Sequence, residues 1–164
     1  MNGDIKEKVV YDLGCGNGIL SIGAKILGAS YVVGVDIDRD ALKIAKENAE
    51  RMGVEIKLIC SDIEKLTLRK ANTVIENPPF GSHVKGTDIK FLKKAVEIGE
   101  VTYSLHISKT REFIRKTVES MNCRVDRVYP LSIKIKRRYR FHRKSFIDVE
   151  ADLFRIVKGE GDES

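Results

Sequence analysis

The sequence predicts a doubly wound α/β fold in which a mostly parallel sheet ends in a C-terminal antiparallel hairpin. First, short apolar runs alternate with amphipathic segments of helical period from Val9 to Met121, which is typical of a parallel sheet with helices on both faces. Second, two strand-like runs, Arg124–Ile135 and Phe146–Val157, follow without a helix between them, and this is typical of a hairpin. With 164 residues the chain has the size of one domain, and we predict a single domain over residues 1–164.

The individual elements follow from apolar spacing and from the residues that cap helices. The five strands expected before the hairpin are Val9–Leu13, Tyr31–Val35, Val54–Cys60, Thr73–Ile75 and Val101–Ile107. The expected helices run from Ile19 to a stop at Gly28, from an Asp38 N-cap to Gly53, from an Asp88 N-cap to Gly99, and from Arg111 to Met121.

Composition excludes several classes of protein. Hydrophobic residues make up 42% and charged residues 33%, as in ordinary globular proteins. Met1 to Val10 has no apolar core and is not a signal peptide, and no apolar run reaches the roughly 18 residues of a membrane span. Cys15, Cys60 and Cys123 are odd in number and far apart, which argues against a disulfide framework or a metal site. We therefore expect a cytoplasmic protein without a metal.

The net charge of +6 is concentrated in one segment. Seven of the 30 basic residues and none of the 24 acidic residues lie between Lys134 and Lys144. Tyr139 and Phe141 lie among them, and charge combined with aromatic rings is typical of a surface that binds nucleic acid. The alternative is a solvated hairpin tip. The predicted RNA-binding residues are Lys136, Arg137, Arg138, Arg140, Arg143 and Lys144.

A glycine turn directly follows the first predicted strand. Gly14, Gly16 and Gly18 alternate with other residues, and glycines let a backbone approach a ligand closely as it enters a helix. The spacing differs from the G-x-G-x-x-G of dinucleotide sites, and no Lys-Ser/Thr follows as in a phosphate-binding loop. We expect a nucleoside ligand without a pyrophosphate.

Two aspartates follow the next two strands at the edge where such sheets bind ligands. Asp36 ends the second strand and is placed to accept hydrogen bonds from two ribose hydroxyls. Asp62 follows the third strand, where it could accept from an adenine amino group. The alternative for both residues is a structural role in a turn or a helix cap.

The fourth strand is followed by Asn77-Pro78-Pro79-Phe80-Gly81. Proline cannot donate a hydrogen bond, so the backbone carbonyls and the Asn77 amide oxygen remain as acceptors in a rigid segment. Phe80 adds a flat stacking surface. The lone pair of a planar amine is delocalised into its π system, and acceptors that bind both N–H groups favour a pyramidal, nucleophilic nitrogen. Asn77, Pro78, Pro79 and Phe80 are therefore the candidate catalytic residues, and the alternative is a Pro-Pro turn with a core phenylalanine.

Together the two motifs resemble class I S-adenosylmethionine-dependent methyltransferases. Asp12-Leu13-Gly14-Cys15-Gly16-Asn17-Gly18 is similar to their cofactor loop, and Asn77-Pro78-Pro79-Phe80 is similar to the signature of enzymes that methylate exocyclic amines or the glutamine side-chain amide. A likeness to the methyltransferase-like protein 5 family and its archaeal relatives extends through Lys85-Gly86-Thr87-Asp88, Tyr103-Ser104-Leu105-His106 and Phe141-His142-Arg143-Lys144.

This resemblance implies a Rossmann-like methyltransferase sheet, S-adenosylmethionine as cofactor, and N6-methylation of adenosine in small-subunit ribosomal RNA. It places Asp12 and Asn77 beside the cofactor with the three glycines, Asp36 and Asp62. It also implies a small zinc-binding activator protein as partner. The family has some tens of residues before the first strand that this chain is expected to lack, and a neutral residue where this chain has Glu76.

The sequence leaves several roles open. Glu76 fits either a salt-bridged group or a position near the cofactor. His106 fits either the target pocket or an ordinary strand end, and His83 is expected in solvent. The predicted function is N6-adenine methylation of structured RNA. The alternatives are a protein glutamine N5-methyltransferase, an N2-guanine RNA methyltransferase, and a non-catalytic RNA-binding domain.

Overall fold

A computed structural model of the chain describes residues 3–78, 86–136 and 146–159, with the side chains of residues 135, 136, 146 and 147 left out of the description. One mixed sheet forms its centre. The seven strands are β1 (Val9–Leu13), β2 (Tyr31–Asp36), β3 (Lys57–Cys60), β4 (Ala71–Glu76), β5 (Gly99–Ile107), β6 (Cys123–Lys136) and β7 (Phe146–Lys158). Their order across the sheet is β3-β2-β1-β4-β5-β7-β6.

Strand direction confirms the predicted fold class. Strands β1 to β5 are mutually parallel, while β7 runs antiparallel to both β5 and β6. The connection order reverses between β1 and β4, which lie side by side at the centre of the sheet. In open α/β sheets ligands bind outside the carboxyl ends of the strands at such a reversal, so this edge is where a site is expected.

Four α-helices cover the two faces: α1 (Ile19–Ile26), α2 (Arg39–Arg51), α3 (Thr87–Ile98) and α4 (Arg111–Glu119). Ala24 of α1 packs with Val10 and Val32 on one face. On the other face α3 and α4 pack against the sheet around Leu92 and Phe154. Each helix therefore buries an apolar stripe against the sheet and leaves the strand ends open. In the described part of the chain, no helix is long and apolar enough to cross a membrane.

Two local predictions were wrong. The third strand starts at Lys57 and not at Val54, because the Val54 amide donates to the Ala49 carbonyl at 3.0 Å and completes the C-terminal turn of α2. The N-cap of α3 is Gly86 and not Asp88. Asp88 lies in the first turn of α3, where a carboxylate interacts favourably with the helix dipole. The other elements appear where expected, with ends shifted by up to two residues.

The C-terminal hairpin extends beyond the rest of the sheet. The pairing of β5 with β7 stops at Ile107 opposite Ala151, whereas β6 and β7 remain paired out to Lys136 opposite Phe146. Residues 146–150 of β7 are therefore paired with residues 132–136 of the edge strand β6 and not with β5. At about 3.4 Å per residue this ribbon projects roughly 17 Å past β5. Because β6 is antiparallel to β7, it is parallel to β5, and the ribbon projects from the edge that carries the strand ends.

Candidate active site

The glycine turn after β1 opens toward free space only at its middle glycine. Gly14, Gly16 and Gly18 have φ angles of 71°, 52° and 82°, in the left-handed region that favours glycine. A Cβ on Gly14 would lie 2.9 Å from Phe91 Cε1, and one on Gly18 would lie 2.9 Å from Ala45 Cβ. A Cβ on Gly16 would meet no described atom within 4 Å. The outer glycines thus allow close packing with α3 and α2, and Gly16 leaves room for a ligand against the backbone.

Asp12 lies beneath this turn and is 1% exposed. Ser21 Oγ, from α1, donates to Asp12 Oδ2 at 2.6 Å, whereas the buried Oδ1 atom has no hydrogen-bond partner within the part of the chain that the structure describes. Burial raises the pKa of Asp12 to about 6, and the nearby Asp36 charge contributes in the same direction. A buried carboxylate oxygen without a partner requires an explanation, and here it suits a positively charged ligand group.

Asp36 organises the turn. Its Oδ2 atom accepts a hydrogen bond from the Gly16 amide at 2.8 Å, and its Oδ1 atom accepts from the Asp38 amide at 2.9 Å. The carboxylate therefore ties the end of β2 to the glycine turn and to the start of α2. Each oxygen retains a second lone pair, so contact with ribose hydroxyls stays a prediction.

Asp62 caps the short 3-10 helix Ile63–Lys65, since its Oδ1 atom accepts from the Glu64 amide at 2.9 Å. This capping role is the alternative that the sequence left open. It occupies one carboxylate oxygen, and contact of Asp62 with an adenine amino group also stays a prediction.

Asn77 and Pro78 follow β4 directly beside the glycine turn. In the parallel pairing of β1 with β4, Leu13 lies opposite Glu76, so both segments leave neighbouring strands at one edge, about 4.8 Å apart. Asn77 is exposed and Pro78 is buried. The Asn77 side-chain amide is therefore accessible from solvent, while the buried Pro78 fixes the backbone that follows it. The predicted catalytic residues Pro79 and Phe80, and also His83, lie outside the described residues.

Among the described residues Glu76 forms hydrogen bonds and no salt bridge, whereas a position near the cofactor stays a prediction. It is 1% exposed, and its Oε1 atom accepts a hydrogen bond from Ser104 Oγ at 2.5 Å. Ser104 Oγ also lies 2.6 Å from His106 Nε2. Burial raises the pKa of Glu76 to about 8, against the lowering effect of the Ser104 bond, and the Asp88 charge raises it further. Burial lowers the pKa of His106 to about 4. His106 is thus a buried, neutral side chain on β5.

Sequence reasoning missed Ser21 and Ser104, which form hydrogen bonds with the buried carboxyl groups of Asp12 and Glu76. Ser21 carries no signal of its own within an amphipathic helix. Thr102, Ser104 and His106 alternate along β5, and this period of two in polar residues marks a polar stripe on one strand face. That pattern was the available signal for Ser104.

Of the predicted RNA-binding residues, only Lys136 lies in the described part of the chain. Lys136 is the last residue of β6, and its side chain is not described. The remaining predicted positions, Arg137, Arg138, Arg140, Arg143 and Lys144, lie outside the described residues. The described part of the hairpin shows that the segment between β6 and β7 starts at the same sheet edge as Asn77.

Comparison with known proteins identifies the family. The family model of the ribosomal protein L11 methyltransferase PrmA matches residues 3–78, which include the glycine turn and Asn77. The rRNA N(6)-adenosine-methyltransferase METTL5 of Danio rerio is 39% identical over 160 residues, which covers 94% of this chain and 77% of that protein. The Drosophila melanogaster enzyme of the same name is 36% identical and covers 95% and 76% of the two chains. The chain belongs to the METTL5 family.

Solved structures agree with this assignment to the METTL5 family. A crystal structure from Pyrococcus horikoshii is 38% identical with a TM-score of 0.87 and covers 96% of this chain and 78% of that one. A crystal structure from Thermoplasma acidophilum is 36% identical with a TM-score of 0.78, and the coverage is 97% and 83%. The predicted family is confirmed. The chain is a methyltransferase, and its cofactor is S-adenosylmethionine.

The residues at the METTL5-type site fit this cofactor. S-adenosylmethionine carries a sulfonium and an ammonium group, and the partnerless Asp12 Oδ1 atom is the buried negative group at the turn. The space at Gly16 allows the ligand to approach the backbone. The second lone pairs on the Asp36 carboxylate point to hydroxyl donors as further contacts. Bound there, the cofactor supplies an electrophilic methyl group.

Proposed function

We propose that this chain methylates N6 of an adenine in small-subunit ribosomal RNA. One observation carries the proposal: relatives named as rRNA N6-adenosine methyltransferases match 94% and 95% of the chain, whereas the L11 methyltransferase model matches residues 3–78. The shared part contains β1 to β4 with the cofactor turn. The part that follows, with β5 and the hairpin, is shared with the RNA-modifying relatives, and it is where substrate choice is expected to reside.

Asn77 and Pro78 are the proposed amine clamp. The Asn77 amide oxygen and the Pro78 carbonyl accept the two N–H groups of the adenine amine, which concentrates the nitrogen lone pair in the direction of attack. Both groups sit at the end of a central strand, and alignment of nitrogen with the methyl donor supplies most of the rate enhancement. Pro79 completes the rigid segment, and Phe80 stacks on the base.

The cofactor is proposed to lie across the carboxyl ends of β1, β2 and β3. The proposed contacts come from the glycine turn, from the aspartates that follow these strands, and from the end of β4: Asp12, Gly14, Gly16, Gly18, Asp36, Asp62 and Asn77. The target adenine must leave its base stack to reach Asn77, so unpaired or flipped adenines are the substrates. The amine proton lost after transfer passes to solvent at the exposed Asn77.

The hairpin tip is the proposed RNA surface. The ribbon of β6 and β7 projects past β5 at the edge that carries Asn77. The basic segment 137–145 connects its two strands. Strand spacing puts β6 about 14 Å from β4, so RNA bound along the tip can deliver a base to the clamp. Lys136, Arg137, Arg138, Arg140, Arg143 and Lys144 are the proposed phosphate contacts.

Replacing Arg137, Arg138, Arg143 and Lys144 together by Gln tests this surface. We expect weaker binding of every RNA, and a slope of log affinity against log salt that flattens by roughly 3 if all four contact phosphates, at about 0.7 per contact on single strands. S-adenosylmethionine affinity should be unchanged. A matched control replaces four exposed lysines far from the tip, Lys43, Lys46, Lys57 and Lys93. If the tip variant binds RNA like this control, the tip is not the RNA surface.

A tritium-transfer assay with ribosomal RNA, ribosomal protein and no added substrate tests the reaction itself. Label in RNA, recovered as N6-methyladenosine, supports the proposal. Label in protein glutamine identifies a protein methyltransferase, label as N2-methylguanosine identifies a guanine enzyme, and RNA binding without transfer identifies a non-catalytic domain.

We further propose that residues 1–164 form a single cytoplasmic methyltransferase domain that works with a small zinc-binding activator protein. Adding such a protein to the assay should raise turnover.

A further inference from the structure

Three polar side chains form a buried hydrogen-bonded chain beneath the start of the amine clamp. Ser104 Oγ lies 2.5 Å from Glu76 Oε1 and 2.6 Å from His106 Nε2. The three residues are 1%, 0% and 3% exposed. They share one face of the sheet because Glu76 pairs in register with Ser104, and His106 follows two residues later on the same strand. We call this set the Glu76–Ser104–His106 chain.

The core anchors the far end of this chain. The His106 ring packs edge-on against Phe154 at a centroid distance of 5.8 Å and an interplanar angle of 74°. Phe154 is fully buried and packs with residues of α3 and α4. Closely packed interiors transmit small displacements, so Ser104 is a fixed partner for Glu76.

The near end of the chain adjoins the clamp. The last register pair of β4 with β5 in the described residues is Glu76 with Ser104, and Asn77 follows it directly. Pro78, as a proline, has no backbone N–H to donate. The Glu76 side chain is therefore a tie between strand β5 and the backbone that carries the clamp, at the point where the regular ladder ends.

The protonation state of Glu76 determines how many of the polar atoms in this chain have a hydrogen-bond partner. Glu76 Oε2 is buried and has no hydrogen-bond partner among the described residues. If the carboxyl is ionised, half of its charge faces an environment without a donor, which is unfavourable. If it is neutral, Glu76 donates to Ser104 Oγ, Ser104 donates to neutral His106 Nε2, and an uncharged oxygen is left over. The heavy-atom distances fit both arrangements, and burial favours the neutral one.

The charged groups around the chain do not favour ionisation of Glu76. From α3, Asp88 acts on both Glu76 and His106, and its negative charge disfavours a second one. From β7, Asp152 lies opposite His106 in the register, but it is bound by Arg111 of α4 at 2.7 Å and by Ser108. The paired Asp152 and Arg111 charges largely compensate each other, and β1 presents Leu13 to Glu76.

We propose that Glu76, in its protonated form, is a positioning residue that holds the Asn77–Pro78 clamp in place through Ser104 and His106. The proposal rests on the amine-clamp function proposed above and adds a condition to it. Clamp geometry holds only while Glu76 keeps its proton. Ionisation turns the Ser104 hydroxyl toward Glu76 and away from His106, and it leaves negative charge on the buried Oε2 atom, which draws water or a cation toward the strand end. A displacement of about 1 Å at such a position lowers turnover about 100-fold.

Nuclear magnetic resonance tests the coupling without any substrate. With carboxyl-labelled glutamate, the Glu76 signal should titrate near the raised pKa of about 8, and the Asn77 amide shift should follow the same midpoint. In Glu76→Gln, which is neutral at every pH, the Asn77 shift should lose this transition. Glu50→Gln, an exposed carboxylate of α2, is the matched control and should behave like the parent.

Kinetics tests the consequence for the reaction. One pH unit above the midpoint, about a tenth of the molecules keep the Glu76 proton, so kcat of the parent should fall about 10-fold. The Glu76→Gln variant should keep its kcat across that range, while KM for S-adenosylmethionine stays the same in both. Glu76→Leu and Ser104→Ala remove the hydrogen bond between the two side chains. Both variants should lower kcat at every pH without weakening the binding of S-adenosylmethionine.

The outcomes separate the two proposals. Three outcomes would each overturn the positioning role. In the first, the Glu76 signal titrates in the ordinary carboxylate range. In the second, the Asn77 amide shift is independent of the protonation of Glu76, and in the third the alkaline decline of kcat persists in Glu76→Gln. A different result would separate the two proposals. If the Asn77 amide shift follows the titration of Glu76 but the protein transfers no methyl group to RNA, the positioning role is supported and the proposed function is overturned. If Glu76→Leu fails to fold, Glu76→Gln and the titration decide alone.

Discussion

The ends of β1 and β4 carry the same chemical feature in two different settings. Each has a buried carboxyl group, Asp12 or Glu76, that is hydrogen-bonded to one serine and retains one oxygen without a partner among the described residues. Asp12 receives its bond from Ser21, nine residues later and within the same strand-turn-helix unit. Glu76 is hydrogen-bonded to Ser104, 28 residues later and on another strand. The first carboxyl is thus held locally and the second through tertiary structure.

This difference matches a division of labour between the two strand ends. The β1 end combines an open glycine backbone with a carboxyl whose raised pKa, about 6, allows ionisation at neutral pH. Such a group suits a cationic ligand. The β4 end combines an exposed amide with a carboxyl whose pKa is raised to about 8, which leaves it mostly neutral at pH 7. A neutral, buried carboxyl suits a role in positioning the Asn77–Pro78 clamp. We therefore expect changes at β1 to affect binding and changes at β4 to affect turnover.

The largest expected effect is the loss of cofactor binding in Gly16→Val. A branched side chain would occupy the open space at Gly16 and would strain a backbone with φ of 52°. Closing this approach removes contacts worth several kcal/mol, so the Kd for S-adenosylmethionine should rise by about 100-fold or more in calorimetric titration.

The control for this change is Gly53→Val at the end of α2. Gly53 has a similar φ of 65° and equally open space, so the variant carries comparable strain far from the β1 end. It should lose stability and keep the parent affinity. Equal affinity in the two valine variants would remove the binding role from the glycine turn.

The next effect is on turnover at the β4 end. Asn77→Ala removes one acceptor of the clamp, and kcat for methyl transfer should fall about 100-fold or more. The Kd for S-adenosylmethionine should change little, since the cofactor retains its contacts along the β1 end. Steady-state kinetics combined with cofactor titration measures both quantities.

Asn72→Ala provides the comparison within the same strand. Asn72 lies near the amino end of β4, where its side chain bonds the Val9 amide and Glu100. This variant should lose stability without a selective loss of kcat. A loss of cofactor binding in Asn77→Ala that equals its loss of turnover would place Asn77 in the β1 site and would break the proposed division.

Local patterns made the β1 end and the overall fold predictable. Strand-helix alternation depends on apolar spacing within single segments. The glycine turn, Asp36 and Asn77 could be singled out as candidates because each lies at the end of a strand or directly after it. The hydrogen bonds of Glu76 could not be predicted, since they depend on the register between β4 and β5. The start of β3 was misplaced because the amide of Val54 is used by the end of α2, and strand propensity alone does not reveal that competition.

The smallest expected effect is a pH dependence of cofactor binding that comes from Asp12. Burial raises its pKa to about 6 in the free protein, and a cationic ligand near Oδ1 favours the ionised form. Binding therefore releases a proton, and affinity should rise with pH as Asp12 ionises. At pH 5 about a tenth of the molecules have an ionised Asp12, so the Kd should be about 10-fold higher than at pH 7.5.

Asp12→Asn should remove this pH dependence and bind at every pH with an affinity near that of the parent at pH 5, because it presents a neutral group in the same place. Asp40→Asn on the exposed surface of α2 should retain it. Proton release can be measured directly from the buffer dependence of the binding enthalpy. A parent Kd that is flat between pH 5 and 7.5, or a slope that survives in Asp12→Asn, would mean that the partnerless oxygen of Asp12 does not face the cofactor's positive charge. The β1 carboxyl would then be a structural group like Glu76, and the contrast between the two strand ends would be lost.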